Sequence, residues 1–167
     1  MILAFDTFYS GNQAKTVCLS FKHWTDPEPA AIHTEILDGV AEYVPGEFYK
    51  RELPCILSLL KQIDLSSINT IIIDGFVFLD DERKPGLGAH LHKALDEKIP
   101  VIGVAKTNFA TIEKNKRAVE RGESKSPLYI TAIGMDVDIA AQHIRNMHGE
   151  FRMPALLKQL DGLTKTN

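Results

Sequence analysis

The chain is poor in the features that announce many functions. Its 2 cysteines among 167 residues, Cys18 and Cys55, lie in apolar stretches without metal-ligand spacing. That argues against a disulfide framework and favours reduced, buried thiols, as in a cytoplasmic protein. No apolar run is long enough to span a bilayer, and no basic start leads into an apolar leader, so no membrane is expected as a partner. Positive charge is not in excess: the formal net charge is −3. The overall basic signal of a nucleic-acid binder is therefore missing, although a local basic groove is compatible with an acidic total. The histidines, His23, His33, His90, His92, His143 and His148, form no zinc pattern. There is no phosphate-cradling glycine loop and no dinucleotide fingerprint, Gly86-Leu87-Gly88 being too short for either. No serine or cysteine sits in a nucleophile elbow. What remains, with 44% apolar and 25% charged residues, is an ordinary globular composition long enough for one core, and residues 1–167 are expected to form a single domain.

The stretch Asn69–Leu91 organises the rest. Ile71-Ile72-Ile73 reads as a strand buried on both faces, ending on Asp74-Gly75; a charged turn, a Pro85-Gly86 break and a helix from Leu87 follow. Taken alone Asp74 starts a turn, since Asp-Gly is a common turn pair. At the carboxyl end of a buried strand, however, it stands where open α/β sheets build their sites. Upstream, Met1–Phe5 reads as a strand ending on Asp6-Thr7, followed by strands over Ala14–Phe21 and Ala30–Leu37 in an antiparallel meander. Ile56, Leu59, Leu60 and Ile63 repeat at helical spacing, with Pro54 in the first turn and Glu52 near the positive end of the dipole. Downstream come a helix from Leu87 to about Lys98, a strand over Pro100–Ala105 closed by Lys106, and a charged stretch at Phe109–Ser126. That stretch is expected as a short exposed helix or an open, solvated segment. A strand over Pro127–Ile133 and two helices follow, marked by Val137–Met147 and Leu156–Leu163. Strands first, then strands alternating with helices, predict an α/β fold with a mixed sheet flanked by helices.

Asp6, Glu52 and Asp74 each stand at a strand end or helix start. If the first and central strands are parallel neighbours, Asp6 and Asp74 share a rim. A purely carboxylate site suits Mg²⁺, with Mn²⁺ an alternative, and supports phosphoryl transfer. Lys106 closes a third strand and can stabilise the developing charge; it can equally mark an ordinary exit to solvent.

At this point the residues resemble those of the endonuclease V family. Ile2–Tyr9 (ILAFDTFY) is similar to that family's first catalytic-aspartate strand, and Tyr43–Glu52 (YVPGEFYKRE) to its Y-x-P-G-x-L-x-F-R-E motif. Ile72–Gly75, Gly86–Leu91 and Ile102–Lys106 follow in family order, then Pro127–Thr131 and Arg152-Met153-Pro154. The resemblance implies a ribonuclease-H-like fold and Asp6, Glu52 and Asp74 around Mg²⁺, with Lys106 as the active-site lysine. It also implies substrate contacts at Tyr43, Pro45, Gly46, Gly75, Gly86, Leu87 and His90, with Tyr43 to Gly46 as a wedge that helps a damaged base leave the stack. The expected activity is hydrolysis of DNA or RNA near hypoxanthine, a nucleic-acid repair function, by a monomer. The sequence departs from the family where Val77 replaces a glycine, where Asp80-Asp81-Glu82-Arg83 stands for His-Pro-Arg, and at Gly134-Met135, where a histidine is usual. A binding protein on the same scaffold, which holds nucleic acid without cutting it, is the alternative.

Overall fold

The computed structural model describes residues 1–40, 42, 44–45 and 47–166. Seven strands form one mixed sheet: β1 (Ile2–Ser10), β2 (Gln13–Phe21), β3 (Ala31–Asp38), β4 (Thr70–Asp74), β5 (Val101–Ala105), β6 (Arg117–Val119) and β7 (Leu128–Ile133). Their spatial order is β3-β2-β1-β4-β5-β7-β6. The first three make the expected antiparallel meander. β1 then pairs in parallel with β4, and β4 with β5. The other elements are helices α1 (Tyr49–Leu60), α2 (Leu87–Ala94), α3 (Val137–Arg145) and α4 (Ala155–Thr164), and a short 3-10 turn at Leu65–Ser67. Among the described residues no helix is long and apolar enough to cross a membrane.

The three parallel strands are buried on both faces, as continuous β-branched runs require. Leu3, Phe5, Ile71, Ile73 and Val101 belong to one core cluster, together with Ile56 and Leu59 of α1 and Leu87 and Leu91 of α2. Ile2, Ala4, Ile72, Ile102 and Val104 alternate onto the other face, against Ala140 and Ile144 of α3 and Leu156, Leu157 and Leu160 of α4. Alternate residues of a strand point to opposite faces, so the parity of each strand decides which helices its last residue meets.

Four expectations need correction. β1 does not stop at Phe5: its pairing with β4 does, but along β2 it continues to Ser10, where the hairpin partner remains available. Helix α1 begins at Tyr49, so Pro54 lies inside it and not in its first turn. The opening of that helix is wound tightly, with Lys50 and Arg51 donating to the carbonyls three residues back, at 3.0 and 3.1 Å. Helix α2 ends at Ala94 because Asp96 and Glu97 both adopt positive φ (58° each). Finally, the charged stretch Phe109–Ser126 is not a helix. Within it Ile112 and Arg121 are buried and β6 adds an antiparallel edge to β7.

Two arginines fix the loops beside the sheet's end. Arg121, only 6% exposed, donates to the carbonyls of Arg145, Met147, Gly149, Phe151 and Arg152. Arg152 donates to the carbonyls of Lys106 (2.5 Å) and Pro127 (2.8 Å). Such charge-assisted bonds satisfy carbonyls that no helix or strand uses. Close backbone approach supplies the other constraint. A Cβ on Gly103 would lie 2.5 Å from the Gly75 carbonyl oxygen and 2.6 Å from Thr131 Oγ1, the hydroxyl that accepts from the Val77 amide at 2.8 Å. Val77 itself packs fully buried against Gly88, whose added Cβ would meet it at 2.6 Å. Val77 in place of the family's usual glycine is thus a core residue.

These contacts predict opposite effects for two glycine-to-alanine changes. Gly103→Ala should cost about 2–3 kcal/mol through overpacking. Gly162→Ala, in α4 with nothing within 4 Å of the added methyl, should gain roughly 0.5–1 kcal/mol from helix propensity. Urea unfolding of both variants checks this; a neutral Gly103→Ala would mean that the approach of β5 to the Gly75 turn is looser than described.

Candidate active site

Phe5 pairs with Ile73 and Asp74 with Val104. Asp6 has the parity of Ile2 and Ala4, Asp74 that of Ile72, and Lys106 that of Ile102 and Val104. All three therefore project from one rim toward α4. There they line a cavity of about 30 Å³ with Phe5, Met153, Leu157 and Asp161. Asp161 was not a sequence candidate. Its signal was available: with Leu157, Leu160 and Thr164 it follows the spacing of the helix's buried stripe, where an acid is out of place unless it has work to do. Lys165 holds Asp161 at 3.0 Å, and Lys106 approaches it at 3.9 Å.

Glu52 comes from the opposite face. In α1 it shares the buried stripe of Cys55, Ile56 and Leu59 and is only 3% exposed. Thr7, one residue beyond Asp6 and of opposite parity, approaches Glu52 and favours its charged form. Next to Glu52, Arg51 stacks its guanidinium 3.5 Å over the Tyr9 ring. The sheet's end thus carries Asp6, Asp74 and Asp161 on the α4 face and Glu52 behind them on the α1 face.

These acids are partly desolvated and feel one another's charge. Burial first, then the charge of Asp74, lifts Asp6 to a pKa of about 7, against the pull of the Thr7 amide, which donates at 2.9 Å, and of Lys106. Burial, then Asp74 and Asp6, pushes Glu52 well above the usual carboxylate range. Asp74 reaches solvent at the rim, yet partial desolvation and Asp161 raise it while Lys106 and Lys165 lower it. Desolvation and like charge both disfavour ionisation, and a divalent cation would reverse both effects. An all-oxygen donor set of this kind fits a hard ion such as Mg²⁺ or Mn²⁺. As the side chains stand, no three acid, imidazole or thiol groups among the described residues are gathered closely enough to bind one ion.

A second cavity, of about 230 Å³, opens on the α1/α2 face of the same rim. It is lined by Phe48, Tyr49, Gly75, Phe76, Leu79, Gly86 and Leu87. Three of the expected substrate residues, Gly75, Gly86 and Leu87, are in its wall. His90 is not, but its ring stacks on Tyr49 at 3.7 Å and holds that wall in place. Gly75 adopts φ 124°, and a Cβ on Gly86 would lie 2.6 Å from the Phe76 carbonyl oxygen, so both positions need glycine. Pro45 is in an exposed turn ahead of Phe48; Tyr43 and Gly46 lie outside the described residues. Asp80 and Asp81 do not join the acids at the rim. Asp80 accepts from the amides of Glu82 and Lys84, closing its own turn, and Asp81 accepts from those of Glu113, Lys114 and Asn115.

Known proteins resemble this chain in sequence and in fold. A family model described as Endonuclease V matches residues 1–161. The endonuclease V of Rippkaea orientalis is 34% identical over 101 residues, which are 59% of this chain and 40% of that protein's length. Human ENDOV superposes with a TM-score of 0.73 at 22% identity, covering 98% of this chain and 82% of its own. The endonuclease V of Ciona intestinalis, solved with a DNA that contains an inosine followed by a ribo-adenosine, gives 0.77 at 18% identity, covering 98% and 84%. The fold is the ribonuclease-H-like α/β arrangement expected of the sequence.

The raised pKa of Asp6 contributes a pH dependence to the metal-free protein. Because folding raises the pKa of Asp6 from 3.8 to about 7, the folded chain binds that proton more tightly. Its contribution to stability is complete below about pH 4 and is lost as pH climbs through about 7. In EDTA the melting midpoint should therefore fall between pH 5 and 8, and Asp6→Asn should flatten that fall. A wild-type midpoint that rises steadily with pH would contradict the mutual repulsion of these acids.

Proposed function

Because this chain belongs to the endonuclease V family, we propose that it is a Mg²⁺-dependent endonuclease that cuts a DNA or RNA strand beside a deaminated purine. The observation that carries this reading is a single rim with partly desolvated, mutually repelling acids, a lysine, and a cavity wide enough for one base.

Asp6 and Asp74 would hold the ion, with Glu52 behind them and Asp161 closing the α4 side. When bound, Mg²⁺ or Mn²⁺ supplies an activated water and a counter-charge for the phosphate and the leaving oxygen. The chain's own residues do the rest. Lys106, whose backbone is fixed by Arg152, turns its ammonium from Asp161 to a non-bridging phosphate oxygen, where negative charge develops. Phe48, Tyr49 and Leu87 enclose the extruded base between apolar surfaces. Main-chain groups at the Gly75 and Gly86 turns, which line the pocket, meet its edge. Extrusion costs a few kcal/mol and least at a poorly paired base, which makes hypoxanthine the natural occupant. Tyr43, Pro45 and Gly46 act as the wedge that fills the vacated place. The buried free thiols of Cys18 and Cys55 suit a reducing compartment, and we place the enzyme in the cytoplasm.

The test is cleavage of a labelled single strand with one inosine, in DNA and RNA versions, with Mg²⁺ or with EDTA. The expected result is metal-dependent cutting at a fixed position beside the inosine. Asp6→Asn and Asp74→Asn should each lower kcat at least about a hundredfold, the scale of losing a group that organises transition-state charge. Mg²⁺ should also raise the melting midpoint of the wild type more than that of Asp6→Asn. Cutting that ignores inosine would leave the metal site and remove the base reading. Binding without cutting would favour the scaffold-only alternative, in which Asp161 stays paired with its lysines.

A further inference from the structure

Beyond the rim, on the α4 face, lies a groove that the base pocket and the carboxylates do not account for. It encloses about 360 Å³ between Lys106, Phe151, Arg152, Met153, Lys158 and Asp161. Lys106 and Asp161 also line the carboxylate cavity, as does Met153, so the groove is continuous with it. The base pocket opens on the opposite face, among α1 and α2 residues. A strand whose inosine sits in that pocket and whose next phosphates cross the acids meets this groove on the far side.

The groove has two features that packing does not explain. Phe151 is 70% exposed, the most of any large hydrophobic side chain among the described residues. Its backbone is nevertheless pinned: its carbonyl accepts from Arg121 Nη1 at 2.6 Å, and its neighbour Arg152 is tied to the Lys106 and Pro127 carbonyls. A rigid mount for a ring left in water stabilises nothing in the isolated chain. It does lower the entropic cost of stacking a ligand on that ring. Lys158 is exposed and has no carboxylate within ion-pair distance among the described residues. Arg152 gives two hydrogen bonds from Nη2 to carbonyls, its buried Nε has no partner, and no carboxylate pairs with it among the described residues. Of the wall's charges, only Asp161 is negative, and it already has Lys165.

We propose that this groove is a nucleotide subsite for the cleaved strand, on the side of the scissile phosphate away from the inosine. A base stacks on Phe151, and the phosphate beside it meets Lys158. An aromatic platform beside cations is the combination that holds single strands without regard to sequence. The subsite rests on the nuclease reading above, and it adds a requirement that reading lacks: the strand must extend past the cut.

The experiment uses two labelled inosine strands, one ending at the nucleotide next to the mapped cut and one running several nucleotides on. For the wild type, kcat/KM should favour the longer strand by at least about fivefold, the lower end of one base–aromatic stack. Phe151→Ala should bring that ratio close to one, Phe151→Trp should keep it, and Lys158→Ala should reduce the salt dependence of the longer strand by about one phosphate contact. Both side chains are at the surface, and unchanged melting midpoints of the three variants confirm intact folds. A ratio unaltered in Phe151→Ala, or lost equally in Phe151→Trp, would overturn the subsite. If the wild type cuts neither strand, the nuclease reading falls and fluorescence anisotropy with the same uncut strands decides the groove. Weaker binding by Phe151→Ala and Lys158→Ala then supports it, and equal binding overturns it.

Discussion

The parallel register of β1, β4 and β5 is the constraint on which the rest of this structure depends. Three neighbouring strands run in one direction and end at nearly the same level, and the residues at or just past that level share one parity. Two carboxylates and an ammonium are thereby delivered to one face without any loop having to carry them. Hydrogen-bonded strands are stiffer mounts than loops, and a site that depends on relative positions to within fractions of an ångström benefits from that stiffness. Each helix layer then contributes one acid from its buried stripe: α1 brings Glu52 from one side and α4 brings Asp161 from the other.

The arrangement works against the stability of the isolated chain. Acids that raise one another's pKa are a local conflict in an otherwise consistent fold, and such conflicts concentrate where a protein acts. The surrounding structure compensates with tight packing. Gly103 lets the Gly75 turn lie against β5, Gly88 lets α2 lie against Val77, and Arg121 ties the loop after α3 to the edge of the sheet by five carbonyls. Removing any of these would loosen the frame before it touched the chemistry.

Much of this was legible in the residues alone. The Ile71–Ile73 run and the opening meander predicted the sheet, and strand-end positions singled out Asp6, Asp74 and Lys106. The misses have physical causes. A strand's length depends on its partners, so nothing within Met1–Phe5 shows that β2 carries β1 on to Ser10. The charge of Phe109–Ser126 hid a strand because an edge strand needs only alternate apolar residues. Asp161 does not stand out in sequence because Leu156, Leu157, Leu160 and Leu163 read as a purely structural helix, although the acid shares the spacing of its buried stripe. Phe151 could not be found from sequence at all. An exposed ring becomes informative only when its backbone is seen to be anchored.

The three acids at Asp80–Glu82 gain a different meaning from the way Asp81 is held. Its carboxylate sits in a small cup of amides from Glu113, Lys114 and Asn115, the kind of concavity that elsewhere captures a phosphate. Here the protein has supplied the anion from its own chain and closed that cup to outsiders. The tether also joins the turn after β4 to the segment before β6, across 32 to 34 residues of sequence. What stands where the family has His-Pro-Arg is thus a clasp. The Asp80–Arg83 turn is thereby committed to holding the fold together, and the ammonium groups of Lys106 and Lys158 line a groove elsewhere, beside α4.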